Sequence, residues 1–239
     1  MNGAFKTMFS QGIHQVSEKQ KEELGCVRYA SGGRKFVYCQ NGASAALDPG
    51  KVVAAPSAVA NHINKAVGAV IPVGTKVLNI TVGATAVAQN QYADGWLQVN
   101  DADNEGHQVR ILSNTACDAS GTTELVLEDG LPVALAATSE VSLIPSKFRG
   151  VAVAGVNSLP VGVPCLAVPA AFYFWAQVKG VANVLMSGTP AVGSMIVTAA
   201  SGAAAAMAGT LDIDNPIIGI MGFTAGVTTE YKPVDLNIA

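Results

Sequence analysis

Leu78-Asn79-Ile80-Thr81-Val82 alternates apolar and polar residues at every step. Successive side chains of a strand point to opposite faces, so a period of two marks a half-buried β-strand. Leu125 and Leu127 are set among Glu124, Val126 and Glu128 in the same way. Further out, Phe36-Val37-Tyr38-Cys39-Gln40 is a strand by its β-branched and aromatic content, and Lys51 to Ala55 forms a second. Turn signals separate such runs: Asn41-Gly42, Asp48-Pro49-Gly50, Asp94-Gly95, Glu105-Gly106, Ser120-Gly121, Asp129-Gly130 and Ser187-Gly188. Many short strands at this spacing predict a mainly β chain built of sandwich or barrel units, not an α/β fold.

Residues 1–30 differ, reading as an extended N-terminal arm that orders on a partner and contributes little to the β body. Within it, Val16 to Leu24 is charged and fits a short helix, with Ser17 as N-cap and Gly25 as the C-terminal glycine. Ser57 to Val67 is a weaker helical candidate. The remainder divides into a hairpin and connector (31–69), a first β unit (70–147) and a second β unit with a C-terminal tail (148–239). An internal echo suggests the last two: Trp96-Leu97-Gln98-Val99 recurs as Trp175-Ala176-Gln177-Val178. Two similar units in tandem and chance likeness of β-rich segments explain this echo equally well.

In each echo strand Trp and Gln share one face. Either that face is covered by the chain itself, or it meets another subunit, since Trp is enriched at interfaces and its N–H seeks an acceptor. Trp96, Gln98, Trp175 and Gln177, with Phe36 and Tyr38, are therefore the interface candidates. Trp175, in the least charged region, is expected to be more buried than Trp96.

Only 13% of the 239 residues are charged, although half are hydrophobic, against about 25% charged in an average domain. So little charge suits a surface covered by other copies, and a homotrimer is expected. A net charge of −3 offers no basic stripe for nucleic acid. From Arg149 to Asp212 only Lys179 intervenes as a charge, but Pro160, Pro164 and Pro169 interrupt any membrane helix. Cys26, Cys39, Cys117 and Cys165 are scattered without a CxxC pair and read as reduced thiols.

Catalytic motifs are missing. His14, His62 and His107 have no second ligand at metal spacing. Gly42-Ala43-Ser44-Ala45-Ala46 lacks the second glycine of a nucleophile elbow. Gly50-Lys51 fails as a phosphate loop, with Ala45 at the upstream glycine position and Val52 where Ser or Thr is required. Asp101-Ala102-Asp103-Asn104-Glu105-Gly106 resembles the start of a calcium loop, yet its closing position is Leu112; a polar hairpin tip is the better reading. No enzyme, cofactor or metal site is expected, although a site assembled from distant residues leaves no motif.

Gly33-Arg34-Lys35-Phe36-Val37-Tyr38-Cys39-Gln40-Asn41-Gly42-Ala43, followed by Leu47-Asp48-Pro49-Gly50-Lys51, resembles the N-terminal hairpin of decoration (cement) or minor head proteins of tailed-phage capsids. Phe174-Trp175-Ala176-Gln177-Val178-Lys179-Gly180-Val181-Ala182-Asn183-Val184-Leu185 is similar to a later strand pair of that family. The resemblance implies a virion protein made in the host cytoplasm. It would bind the major capsid protein on the capsid exterior, often as a trimer, and stabilise the shell. A β-rich tail or receptor-binding module is the alternative, although long triple-β-helical repeats are missing.

Overall fold

The computed structural model describes residues 8–209 and 215–238. The chain opens with β1 (Val27–Ala30), β2 (Arg34–Asn41) and β3 (Val53–Ala54). There follow β4 (Lys65–Ala66), β5 (Val77–Thr81), β6 (Trp96–Asp101), β7 (Gln108–Asn114), β8 (Thr122–Leu127) and β9 (Glu140–Ile144). Then come β10 (Arg149–Val153), β11 (Pro160–Pro164), β12 (Tyr173–Leu185), β13 (Met195–Thr198), β14 (Ala204–Ala206), β15 (Ile217–Met221) and β16 (Tyr231–Asn237). The mainly β expectation holds, with barrel-like sheets. Among the described residues no helix is long and apolar enough to cross a membrane.

The expected division into 1–30, 31–69, 70–147 and 148–239 gives way to an insertion. One compact unit comprises residues 1–55 and 147–239, and the other residues 56–146. Strands β3 and β10 are antiparallel neighbours, Val53 opposite Val153 and Ala54 opposite Ala152. The second unit therefore occupies what would otherwise be the connection of a hairpin.

In the first unit, β2, β10, β3, β11 and β12 form a ring that closes where β12 returns to β2. Val37 and Cys39 of β2, Val151, Val161, Val163, Phe174 and Ala176 fill its interior core. The long strand β12 serves two sheets. Its first half pairs with β2 and β11, and its second half with β16, from which β15, β13 and β14 continue. Ala204 of β14 comes back to Met186 through a parallel bridge. The bend in β12 lies at a register shift between Gln177 and Lys179, followed by Gly180 at φ +80°, a left-handed conformation that favours glycine.

The second unit is a six-stranded sheet in the order β4-β9-β6-β7-β8-β5, with its edges β4 and β5 side by side. Leu78, Ile80, Leu97, Val99, Ile111, Leu125, Leu127, Val141 and Leu143 form its own core, which is the face that alternation assigns to Leu78 and Ile80. His62 is buried there. Its Nε2 donates to the Thr85 carbonyl, which can only accept, at 2.9 Å, and its Nδ1 shares a hydrogen bond with the Tyr92 hydroxyl at 2.5 Å. Burial pushes the Tyr92 phenol up to about 12.

Both units share a loop device. Leu47 and Val168, Ile71 and Leu135, and Val87 and Cys117 each exchange both backbone hydrogen bonds. Three residues after five of these six, at Gly50, Gly74, Asn90, Ser120 and Ala171, the backbone turns left-handed. The recurrence is therefore of loop geometry, carried by Gly, Asn, Ser and Ala alike.

The two helical expectations fail. Val16 to Leu24 runs through bends and turns. Ser17 instead exchanges backbone hydrogen bonds with Tyr173, while its Oγ accepts from Lys19 N; without an apolar face of helical period, no packing favours a short helix. The helical content of Ser57 to Val67 is one 3-10 turn, Ala60–His62, and the segment ends in strand β4.

Replacing residues 56–146 by a short turn should leave a soluble remainder with one cooperative thermal transition, because each unit buries a separate core. Circular dichroism would check this. An unfolded product would show that the core of residues 1–55 and 147–239 is not self-sufficient.

Candidate interaction surfaces

Four of the six interface candidates are spent inside the chain. Phe36, Tyr38 and Trp175, with Leu24 and Tyr173, form a third core on the outer side of the barrel, packed against Phe9, Ile13 and Cys26. Phe9 meets Trp175 edge-on at 5.3 Å and Tyr38 meets it at 5.0 Å. Arg28 sits 4.9 Å from the Phe9 ring centroid. Gln11 locks the cluster. Its carbonyl accepts from Trp175 Nε1 at 3.0 Å, its Oε1 accepts from the Tyr38 hydroxyl at 2.6 Å, and its Nε2 donates to Tyr173 O at 3.0 Å. The Trp175 N–H and the Tyr38 hydroxyl thus find their partners within the chain.

Gln177 is also structural. Its Nε2 lies 2.9–3.1 Å from the carbonyls of Lys179, Gly180 and Val181 and donates at the bend of β12. A buried amide is retained there because irregular backbone leaves carbonyls without ladder partners. The interface reading of Phe36, Tyr38, Trp175 and Gln177 is therefore corrected: the N-terminal segment covers Phe36, Tyr38 and Trp175, and Gln177 is buried at the bend of β12. Trp175 is fully buried, whereas Trp96 is 37% exposed. Only Trp96 and the half-buried Gln98 remain at the surface, where Gln98 Nε2 reaches Gln108 Oε1 at 3.4 Å.

Sequence reasoning missed the main apolar surface. Across the β12–β16–β15–β13 sheet one row reads Val181, Asp235, Ile220, Met195. Val181, Ile220, Met195 and nearby Ile217 are all exposed. With Lys179 and Asn237, residues of this face line a groove of about 430 Å³. Phe223, in the β15–β16 connection, is 78% exposed at φ +60°, a conformation that costs a non-glycine residue ~1–2 kcal/mol. Period-two reading fails here because β15 is irregular: the register shifts between Ile196 and Val197 opposite Gly219 and Ile217, which brings Ile217 and Ile220 both to the surface.

Among the described residues no three His, Cys, Asp or Glu side chains are placed to hold a metal ion. Asp101 to Gly106 is the tip between β6 and β7, where Asp101 Oδ1 accepts from Ala102 N and Asn104 Nδ2 donates to Ala134 O. The cysteines are free thiols, and burial raises the pKa of Cys39 and Cys165, which makes them poor nucleophiles.

The chain matches no family model, no curated protein and no solved structure.

Proposed function

We propose that this chain is a structural virion protein that decorates the outer surface of a phage capsid as a homotrimer, binding the major capsid protein and stabilising the shell without catalysis. The observation that carries the reading is the exposed apolar face of Val181, Ile217, Ile220 and Met195. The large aromatics of the outer barrel are buried, yet this face remains open to a partner. The resemblance of residues 33–52 and 174–185 to phage head proteins supports the major capsid protein as that partner.

A protein that binds only the assembled shell favours assembly by linkage. Contacts at several capsid subunits then reinforce one another through effective concentration. With an apolar face as the contact, attachment should persist near 1 M salt, where the Debye length is ~3 Å. Capsids heated with and without the protein should release their genome at different temperatures, higher when it is bound. An unchanged release temperature would reject the stabilising role. A steep loss of binding along a salt series would reject the apolar contact.

A further inference from the structure

The formal charge is divided between the two units. Residues 56–146 hold nine acids and three basic residues, which leaves eight acids and eleven basic residues in the rest, or −6 against +3.

The division is sharpest at two equivalent places. In the second unit the Trp-x-Gln-Val strand β6 ends in a register shift, after which Asp101 stands directly opposite Glu140. In the first unit the matching strand β12 also shifts register, after which Lys179 stands directly opposite Lys35. Like charges directly opposed on neighbouring strands destabilise a sheet. Among the described residues none of these four side chains has an ion-pair partner. Each pair is also reinforced by its surroundings. Asp103 and Glu105 follow Asp101 on the exposed tip. Arg34 precedes Lys35, and Lys147 lies close enough that, after burial as the main cause, the Lys35 charge helps to hold its ammonium below the ordinary lysine value.

From these placements we infer that copies of the chain join head to tail: the acidic cluster of Asp101, Asp103, Glu105 and Glu140 on one copy docks on the basic cluster of Arg34, Lys35 and Lys179 of the next. The inference rests on the proposed self-association and names its contact. Two repulsive pairs of opposite sign are both relieved when they meet. A contact between unlike surfaces closes into a ring when its rotation allows, and three copies are one such closure. This contact is steered by charge and weakens with salt, unlike the apolar attachment to the shell.

The test is a charge exchange in the full chain, read by light scattering across a concentration series at low salt. Asp101→Lys, Asp103→Lys and Glu105→Lys together should weaken association by at least ~10-fold, and so should Lys35→Glu with Lys179→Glu. All five substitutions combined should restore association to within about threefold of the original, because the clusters are again complementary. Thermal melts ensure that each variant is folded; Lys35→Gln with Lys179→Gln, which removes repulsion without reversing charge, serves as a milder form expected to weaken association and to melt no lower. Undiminished association in both single-cluster variants, or a combined variant no better than either, would overturn the inference while leaving a trimer intact. A monomeric original chain at micromolar concentration would overturn both the trimer and this contact. Capsid attachment, scored separately at high salt, reports on the apolar face alone.

Discussion

Trp175→Ala is expected to abolish soluble protein or to lower stability by about 3–5 kcal/mol, the range for removing a buried Trp. Trp175 is fully enclosed between Phe9, Tyr38 and Tyr173, and its Nε1 donates to the Gln11 carbonyl. Truncation leaves a cavity and removes one of the two donors, Trp175 Nε1 and Arg28 Nη1, that the Gln11 carbonyl accepts from. A whole domain is stable by only ~5–15 kcal/mol, so this loss approaches the limit. Trp96→Ala, at a position 37% exposed on β6, should cost about 1 kcal/mol or less. Urea unfolding of both variants checks the contrast. Should Trp175→Ala fail to fold, Trp175→Phe keeps the ring volume partly filled and isolates the indole hydrogen bond. Equal tolerance at Trp96 and Trp175 would mean that the outer-barrel cluster is not a core.

Deleting residues 2–24 is expected to lower Tm by at least about 10 °C or to leave aggregated protein. The N-terminal arm was expected to matter for assembly more than for folding, and the outer-barrel cluster reverses that expectation. Residues 8–24 roof Phe36, Tyr38, Tyr173 and Trp175, and without them four aromatic rings face water. A loss of 1 kcal/mol corresponds to roughly 2–4 °C for a chain of this size, so the predicted fall represents only ~3 kcal/mol. Scanning calorimetry with a hydrophobic dye would read both the transition and the exposed surface. A point variant keeps the test open if the deletion does not fold: Gln11→Ala, which removes the acceptor of the Tyr38 hydroxyl and the donor to Tyr173 O, should lower Tm by several degrees in soluble protein. An unchanged Tm in both would return the arm to a purely external role.

The sequence by itself determined the secondary-structure class and one face of the regular strands. Leu78, Ile80, Leu125 and Leu127 are buried where their alternation places them, because period two is a local property of an extended backbone. Local chemistry also identified many of the turns, Gly50 and the Asp101–Gly106 tip among them.

Only the tertiary structure decided which strands are covered twice. β12 carries Trp175 and Gln177 on one face and Ala176 and Val178 on the other, all buried. The inner face meets the barrel core, and the outer meets a segment more than 150 residues earlier in the chain, from Gln11 to Trp175. No local pattern encodes a partner so distant. The insertion was equally hidden, since a hairpin whose connection is a whole folded unit leaves two short strands, β3 and β10, with no turn between them. The opposed pairs Asp101–Glu140 and Lys35–Lys179 belong to the same class of fact. Each depends on strand register, and register is fixed by the packing of the whole sheet and not by the residues that come to face each other.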